Sequence, residues 1–157
     1  MSRIKTQKTQ VYAVIAGAVV RFACYKGFSF GQDTFGKIDA SCLDEDTKDY
    51  ERGMRDPGEG SISIDLDDEN VSHIKLLQVA ESGEKIEWYI GSSHASTPPT
   101  YEAVTGIDLP EDRIWWSFKG YINPTAPDDI AADALVSYAF TIVRTSGVIT
   151  TLRTVTP

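Results

Sequence analysis

The segment Asp65-Leu66-Asp67-Asp68-Glu69-Asn70 gathers oxygen ligands at the density of a calcium loop. Such a loop needs glycine at its sixth position for a sharp turn and a bidentate glutamate at its twelfth, where this chain has Asn70 and Leu76. Capping of a following helix by Asp67 or Asp68 is the simpler chemistry. The two histidines, His73 and His94, have no second ligand at metal spacing. Ser92-Ser93-His94 sets hydroxyls beside an imidazole but lacks the flanking glycines of a nucleophile elbow. Gly58-Glu59-Gly60 is too short and too acidic to cradle phosphate. Trp115 and Trp116 could stack on a sugar or base, although adjacent strand positions face opposite ways, so one of them is core. Asn70-Val71-Ser72 is a glycosylation sequon with meaning only in a secreted chain. These residues define no catalytic site, no metal site and no cofactor site, which argues against an enzyme.

The elements around them alternate with period two. Ser61–Leu66 puts Ile62, Ile64 and Leu66 on one face, and Lys85–Ile90 does the same with Ile86, Trp88 and Ile90. Ile114–Ile122 aligns Ile114, Trp116, Phe118 and Ile122, while Ala132–Val143 aligns Val136, Tyr138, Phe140 and Ile142. One buried and one wet side per strand is the signature of antiparallel sheet. Val19–Lys26, Phe35–Cys42 and Val148–Val155 are weaker strands. A single helix interrupts them: Val71, Ile74 and Leu77 recur at helical spacing, and Gly83 closes it. The expected fold is mainly β, an antiparallel β-sandwich or partial barrel with one flanking α-helix.

At 157 residues the chain makes one domain, residues 1–157, with a core that needs no staples. Cys24 and Cys42 form no disulfide framework and point to a reducing compartment. A net charge of −8 excludes an ordinary duplex-DNA binder. The charge is unevenly spread: Met1–Gln32 holds Arg3, Lys5, Lys8, Arg21 and Lys26 without one acid, a polarity suited to contact between opposite ends of identical copies. Arg3, Lys5 and Lys8 before the run Val11–Val20, with Ala16-Gly17-Ala18, resemble a signal peptide, but the run is too short to cross a bilayer. Residues 1–10 are therefore taken as a polar arm before a first strand.

Two long connections remain. Residues 91–113 carry Pro98, Pro99, Gly106 and Pro110. Residues 42–60 have almost nothing to bury, since Asp44, Glu45, Asp46, Asp49, Glu51, Asp56 and Glu59 outnumber Lys48, Arg52 and Arg55 around isolated Leu43, Tyr50 and Met54. A charged loop of this length inside a compact domain reads as a partner surface.

The order of elements, from a glycine-punctuated hairpin through Leu43–Tyr50, Gly58–Leu66, one helix, Trp88–Gly91, Phe118–Ile122 and a long strand at Leu135–Thr145, resembles the major tail tube proteins of long-tailed bacteriophages. The resemblance implies a structural virion protein, assembled in the host cytoplasm, that forms stacked hexameric rings as a conduit for DNA ejection, with DNA in transit only. It implies self-association and contacts with a tape measure protein, a tail tip or baseplate and a tail terminator. It assigns inter-subunit contacts to Asp44, Glu45, Asp46, Asp49, Tyr50, Arg52, Met54 and Arg55. Arg3, Lys5 and Lys8 of a neighbour are the expected partners of the acids. An acidic channel wall would repel phosphate, and Asp65 and Asp133, on the polar faces of expected strands, are the lumen candidates. The open strand Ala132–Val143 would find its neighbour in the ring, and the end of the chain at Pro157 implies a smooth tube. A terminator or connector ring, a type VI secretion tube subunit and a carbohydrate-binding module built on Trp115 or Trp116 are the alternatives.

Overall fold

The computed structural model describes residues 3–154. Its elements are β1 (Gln10–Ile15), β2 (Ala18–Phe22), β3 (Tyr25–Ser29), β4 (Thr34–Asp39), β5 (Tyr50–Asp56), β6 (Glu59–Asp65), α1 (Val71–Ser82), β7 (Ile86–Gly91), β8 (Thr100–Glu102), β9 (Gly106–Asp108), β10 (Trp115–Ile122), β11 (Ser137–Arg144) and β12 (Ile149–Thr151). The expected Val148–Val155 strand shrinks to β12, and Val155 lies outside the described residues.

The signal-like run is a β-hairpin instead. Ala16 and Gly17 turn through positive φ, 51° and 78°, the backbone a two-residue hairpin requires, and β1 is buried next to β7 with Val11 and Ala13 inaccessible. The main sheet runs β2-β1-β7-β10-β11-β6-β3, all neighbours antiparallel, with β12 on β10. Its two end strands, β2 and β3, are joined by only Ala23-Cys24, so the sheet folds back over itself into the expected sandwich. Phe22, Phe28, Trp88 and Phe118 fill the fold, with Trp88 and Phe118 stacked at 6.1 Å.

α1 lies against β2 and β10, turned from its expected face. Val71 and Ile74 are exposed, while Ser72, His73, Leu76, Val79 and Ala80 point inward. Two of these inward residues are polar because the β2–β3 corner needs partners: Ala23 N–H donates to Ser72 Oγ at 3.1 Å, and His73 Nε2–H donates to Ala23 O at 2.9 Å. His73 Nδ1 accepts from Asp67 N–H at 3.1 Å, which fixes the tautomer. The N-cap is Asn70, whose Oδ1 accepts from Ser72 N–H, and not Asp67 or Asp68; Asp67 instead accepts from Glu69 N–H in a local turn. Gly83 closes the helix at φ 68° as expected.

The connection 91–113 is no loose loop. Ile107 of its β8–β9 hairpin and the following Leu109 pack on the outer face of β1 and β7, so the side expected to be wet forms a second core around Tyr12, Tyr89 and Trp115. Burial and the adjacent Glu87 carboxylate push the Tyr89 phenol far above its ordinary range. Arg113, fully buried, pins the connection through Ser92 O, Thr97 O and Gln10 Oε1.

Candidate assembly surfaces

β3 to β4 and β5 to β6 are the two legs of one long ribbon. Near the body β3 pairs with β6; beyond residues 30–33 and 57–58 the same legs continue as β4 and β5, which pair only with each other. The half of the charged segment expected as loop, Tyr50–Asp56, is therefore a strand, and only Ala40–Asp49 turns at the tip. It escaped the period-two pattern because neither face of β4–β5 meets a core.

Cation–aromatic contacts organise this arm. Register puts Phe35 opposite Arg55, and Arg52 lies 3.9 Å and Arg55 5.2 Å from its ring centre; Lys37 sits 5.2 Å over Tyr50, its diagonal neighbour. Ile38 and Met54 are exposed. At the tip Ser41 clamps the legs: its Oγ accepts from Asp49 N–H at 2.9 Å, and Ala40 N–H donates to Asp49 O. Hydrogen bonds from the Ser41 hydroxyl and amide hold the Asp39 carboxyl below its usual range. Asp44, Glu45, Asp46 and Asp49 are exposed around Leu43, whose side chain is entirely in solvent.

The root of the arm is rigid. Gly31, at φ 73°, Gly58 and Gly60 let the legs cross so closely that an added Cβ would sit 2.1–2.2 Å from a carbonyl oxygen of the opposite leg. Arg144, at the end of β11, is buried and donates to Phe30 O at 2.7 Å, to Ser146 O and to the Asp33 carboxylate. Arg55 approaches the other Asp33 oxygen at 3.3 Å. The hydrogen bond from Arg144 is the main cause holding the Asp33 carboxyl below its ordinary value. Sequence reading missed both residues. The available signal was that Arg144 occupies the next inward position after Phe140 and Ile142, an arginine on an apolar face. Arg55 thus has a partner within its own chain and remains half-exposed, and Tyr50, Arg52 and Met54 share the arm with the acidic tip.

Arg3, Lys5 and Lys8 lie in the segment before β1, which crosses the end of the fold; Tyr25 Oη donates to Thr9 O and Ser93 Oγ donates to Lys5 O at 3.0 Å. All three cations are exposed, and among the described residues no ion pair joins them to the acidic tip. Asp65 ends β6 and pairs with Lys26 at 3.3 Å. Asp133 is not on a strand: β11 starts at Ser137, and Asp133 stands at φ 59° in the exposed preceding loop. Nor is β11 an open strand. β6 pairs along nearly its whole length, β10 pairs with its end, and Asn123 N–H and Asp128 N–H cap Thr141 O and Ser137 O. The free margins of the main sheet fall instead on β2, β3 and the short β12, each paired on one side only among the described residues.

Neither Trp115 nor Trp116 stands free on the surface. Trp115 is buried with its indole N–H on Pro110 O, and Trp116 is half-buried beside Phe30. The Ser92 hydroxyl lies 2.8 Å from His94 Nδ1 but is buried and also accepts from Ile114 N–H, a structural role.

Comparison with known proteins places this architecture. Structural protein 3 of Pseudomonas phage PAJU2 is 29% identical over 126 residues, covering 76% of this chain and 77% of that protein. The fold matches the SPP1 tail tube with a TM-score of 0.65 at 10% identity, over 94% of this chain and 78% of that one. It also matches the sheath/tube terminator of the PVC extracellular contractile injection system, with a TM-score of 0.64 at 11% identity over 96% and 98%. The family model described as phage tail tube, lambda-like, matches residues 2–154, so the chain belongs to that family of structural tail tube subunits of the virion.

Proposed function

We propose that this subunit assembles in the host cytoplasm into hexameric rings that stack as a hollow tube, the conduit through which DNA leaves the virion. The observation that carries this reading is the β4–β5 arm: two strands projecting from the body with solvent on both faces. A two-stranded ribbon is marginal in water, so this arm is built to rest on something. The free margins of β2 and β3 offer backbone groups to neighbours in the same way. Asp44, Glu45, Asp46 and Asp49, with Tyr50, Arg52 and Met54, contact an adjacent copy, and Arg3, Lys5 and Lys8 are the cations they meet. Each exposed pair is weak, and repetition around a ring gives the sum its weight.

The channel wall is the outer face of β3, β6 and β11. Register aligns Ser29, Ser61 and Thr141 in one cross-strand row and Gly27, Ser63 and Ala139 in the next. These rows carry no charge, and Lys26 at their end is paired with Asp65. Phosphates sliding past short hydroxyls meet no unpaired cation to hold them. Asp65 neutralises the wall more than it repels, and Asp133, displaced to a loop, belongs outside these rows.

Tape measure protein, baseplate and terminator are the expected partners at the ends of such a tube; no cofactor enters the reading. A terminator ring is the second reading, favoured by the fold match to the PVC terminator. Electron microscopy of concentrated protein separates the two. Hollow rods that lengthen with concentration and reconstruct with sixfold symmetry support the tube, rings that never stack support the terminator, and monomers alone refute both.

A further inference from the structure

We infer that the acidic arm tip of one copy docks in a groove beneath the amino-terminal segment of the next, with Leu43 as its apolar plug. This deepens the tube reading and rests on it. The groove, about 790 Å³, lies between residues 4–9 and β3. Phe28, Phe30, Ile90 and Trp116 line its apolar part, Lys5 and Lys8 contribute the charge, Lys26 is paired with Asp65, and no carboxylate lines the groove. An apolar floor under cations selects a ligand that is itself apolar at its centre and acidic at its rim.

The tip of the arm is such a segment. Cys42-Leu43-Asp44-Glu45-Asp46 projects a fully exposed leucine flanked by three consecutive acids, with Asp49 beside them. The tip does not fill its own groove. Phe30 lines the groove at the arm's root, and the six residues of β4 carry the tip about 20 Å beyond that root at the ordinary strand rise of about 3.3 Å per residue. The Asp33 pairing with Arg144 and Arg55 holds the arm outward. A second copy is therefore the occupant. The contact joins two different patches, and repeated contacts of that kind produce rings or filaments.

The two cysteines provide the test without any substitution. Cys24 is exposed and lines the groove; Cys42 is exposed and precedes Leu43. Docking brings the Cys42 of one copy beside the Cys24 of another. Assembled native protein is treated with a short bis-maleimide, digested, and its linked peptides are identified by mass spectrometry, with microscopy of the same sample. The expected result is an inter-chain Cys24–Cys42 link that falls to background in Cys24→Ser and in Cys42→Ser. Charge exchange is the second arm: Lys5→Glu with Lys8→Glu abolishes the link, and adding Asp44→Lys with Asp46→Lys restores it. Rods showing only Cys42–Cys42 links, no link, or no restoration overturn the docking while leaving the tube reading intact. Failure to form any ring or rod overturns the tube reading itself, and the docking with it.

Discussion

Substituting Gly58 with alanine tests whether the arm's direction is set by the crossing of its legs. A Cβ at position 58 would stand 2.2 Å from Gln32 O and 2.8 Å from both Gln32 C and Gln32 N. Ordinary contact begins near 3.4 Å, so the opposing carbonyl must retreat by about 1.2 Å. The clash is with backbone, which has no rotamer to change, and the retreating residue adjoins Asp33. Overpacking of this kind costs about 1–3 kcal/mol, and a domain of this length loses about 2–4 °C per kcal/mol, so melting should fall by about 2–12 °C. If the arm swings aside instead, the Asp33 contacts with Arg144 and Arg55 are lost and rod formation fails. Gly36→Ala, on the same ribbon, is the control: its nearest neighbour would lie 3.9 Å away, and it should change neither readout. Wild-type melting together with wild-type rod formation by Gly58→Ala would refute the crossing as the determinant.

Asp33→Asn should lower the melting temperature at pH 7, with the gap to wild type closing in acid. The native carboxyl titrates below its unfolded value, so its contribution is present above the ordinary carboxylate range, about pH 4, and is lost as pH falls through the depressed native value; a gap constant between pH 7 and pH 3 would contradict the Arg144 pairing. His73→Leu keeps most of the volume but strands Ala23 O and Asp67 N–H, and should cost about 1–3 kcal/mol by urea denaturation. An unchanged midpoint would show that the corner does not depend on the imidazole.

What the sequence made legible follows from where its residues meet a core. β6, β7 and β10 read cleanly because Ile62, Ile64, Trp88, Phe118 and Ile122 alternate into the sandwich. The helix was found but rotated, because periodicity assumes that apolar residues turn inward. Here the backbone of the Ala23-Cys24 corner recruits Ser72 and His73, and Val71 and Ile74 are displaced to the surface. β5 was missed for the opposite reason, having no buried face to imprint a pattern on Tyr50–Asp56. The root of the arm was invisible because Asp33 and Arg144 stand 111 residues apart and meet only through topology. The acidic tip and the basic amino-terminal segment were legible as charge, and the groove beneath that segment was not, since its apolar floor is gathered from β3 and the Phe30 that follows it, β7 and β10.

Charge also decides what kind of polymer this subunit can make. At −8, copies repel one another on average, and a symmetric contact that set arm tip against arm tip would bring two clusters of Asp44, Glu45, Asp46 and Asp49 together at the point of closest approach. Arg3, Lys5 and Lys8 cluster without an intervening acid on the amino-terminal segment, where Lys5 and Lys8 line an apolar groove. The proposed docking sets the acidic tip of one copy against the basic amino-terminal segment of another, where the charges are opposite. A contact of that kind is head-to-tail and would leave an unused tip and an unused groove on the outermost copies of any open assembly. In the proposed tube, such a contact would give two chemically different ends, one displaying acids and the other displaying cations. Proteins that cap the two ends would then need opposite charge, which gives a single repeated subunit a built-in direction.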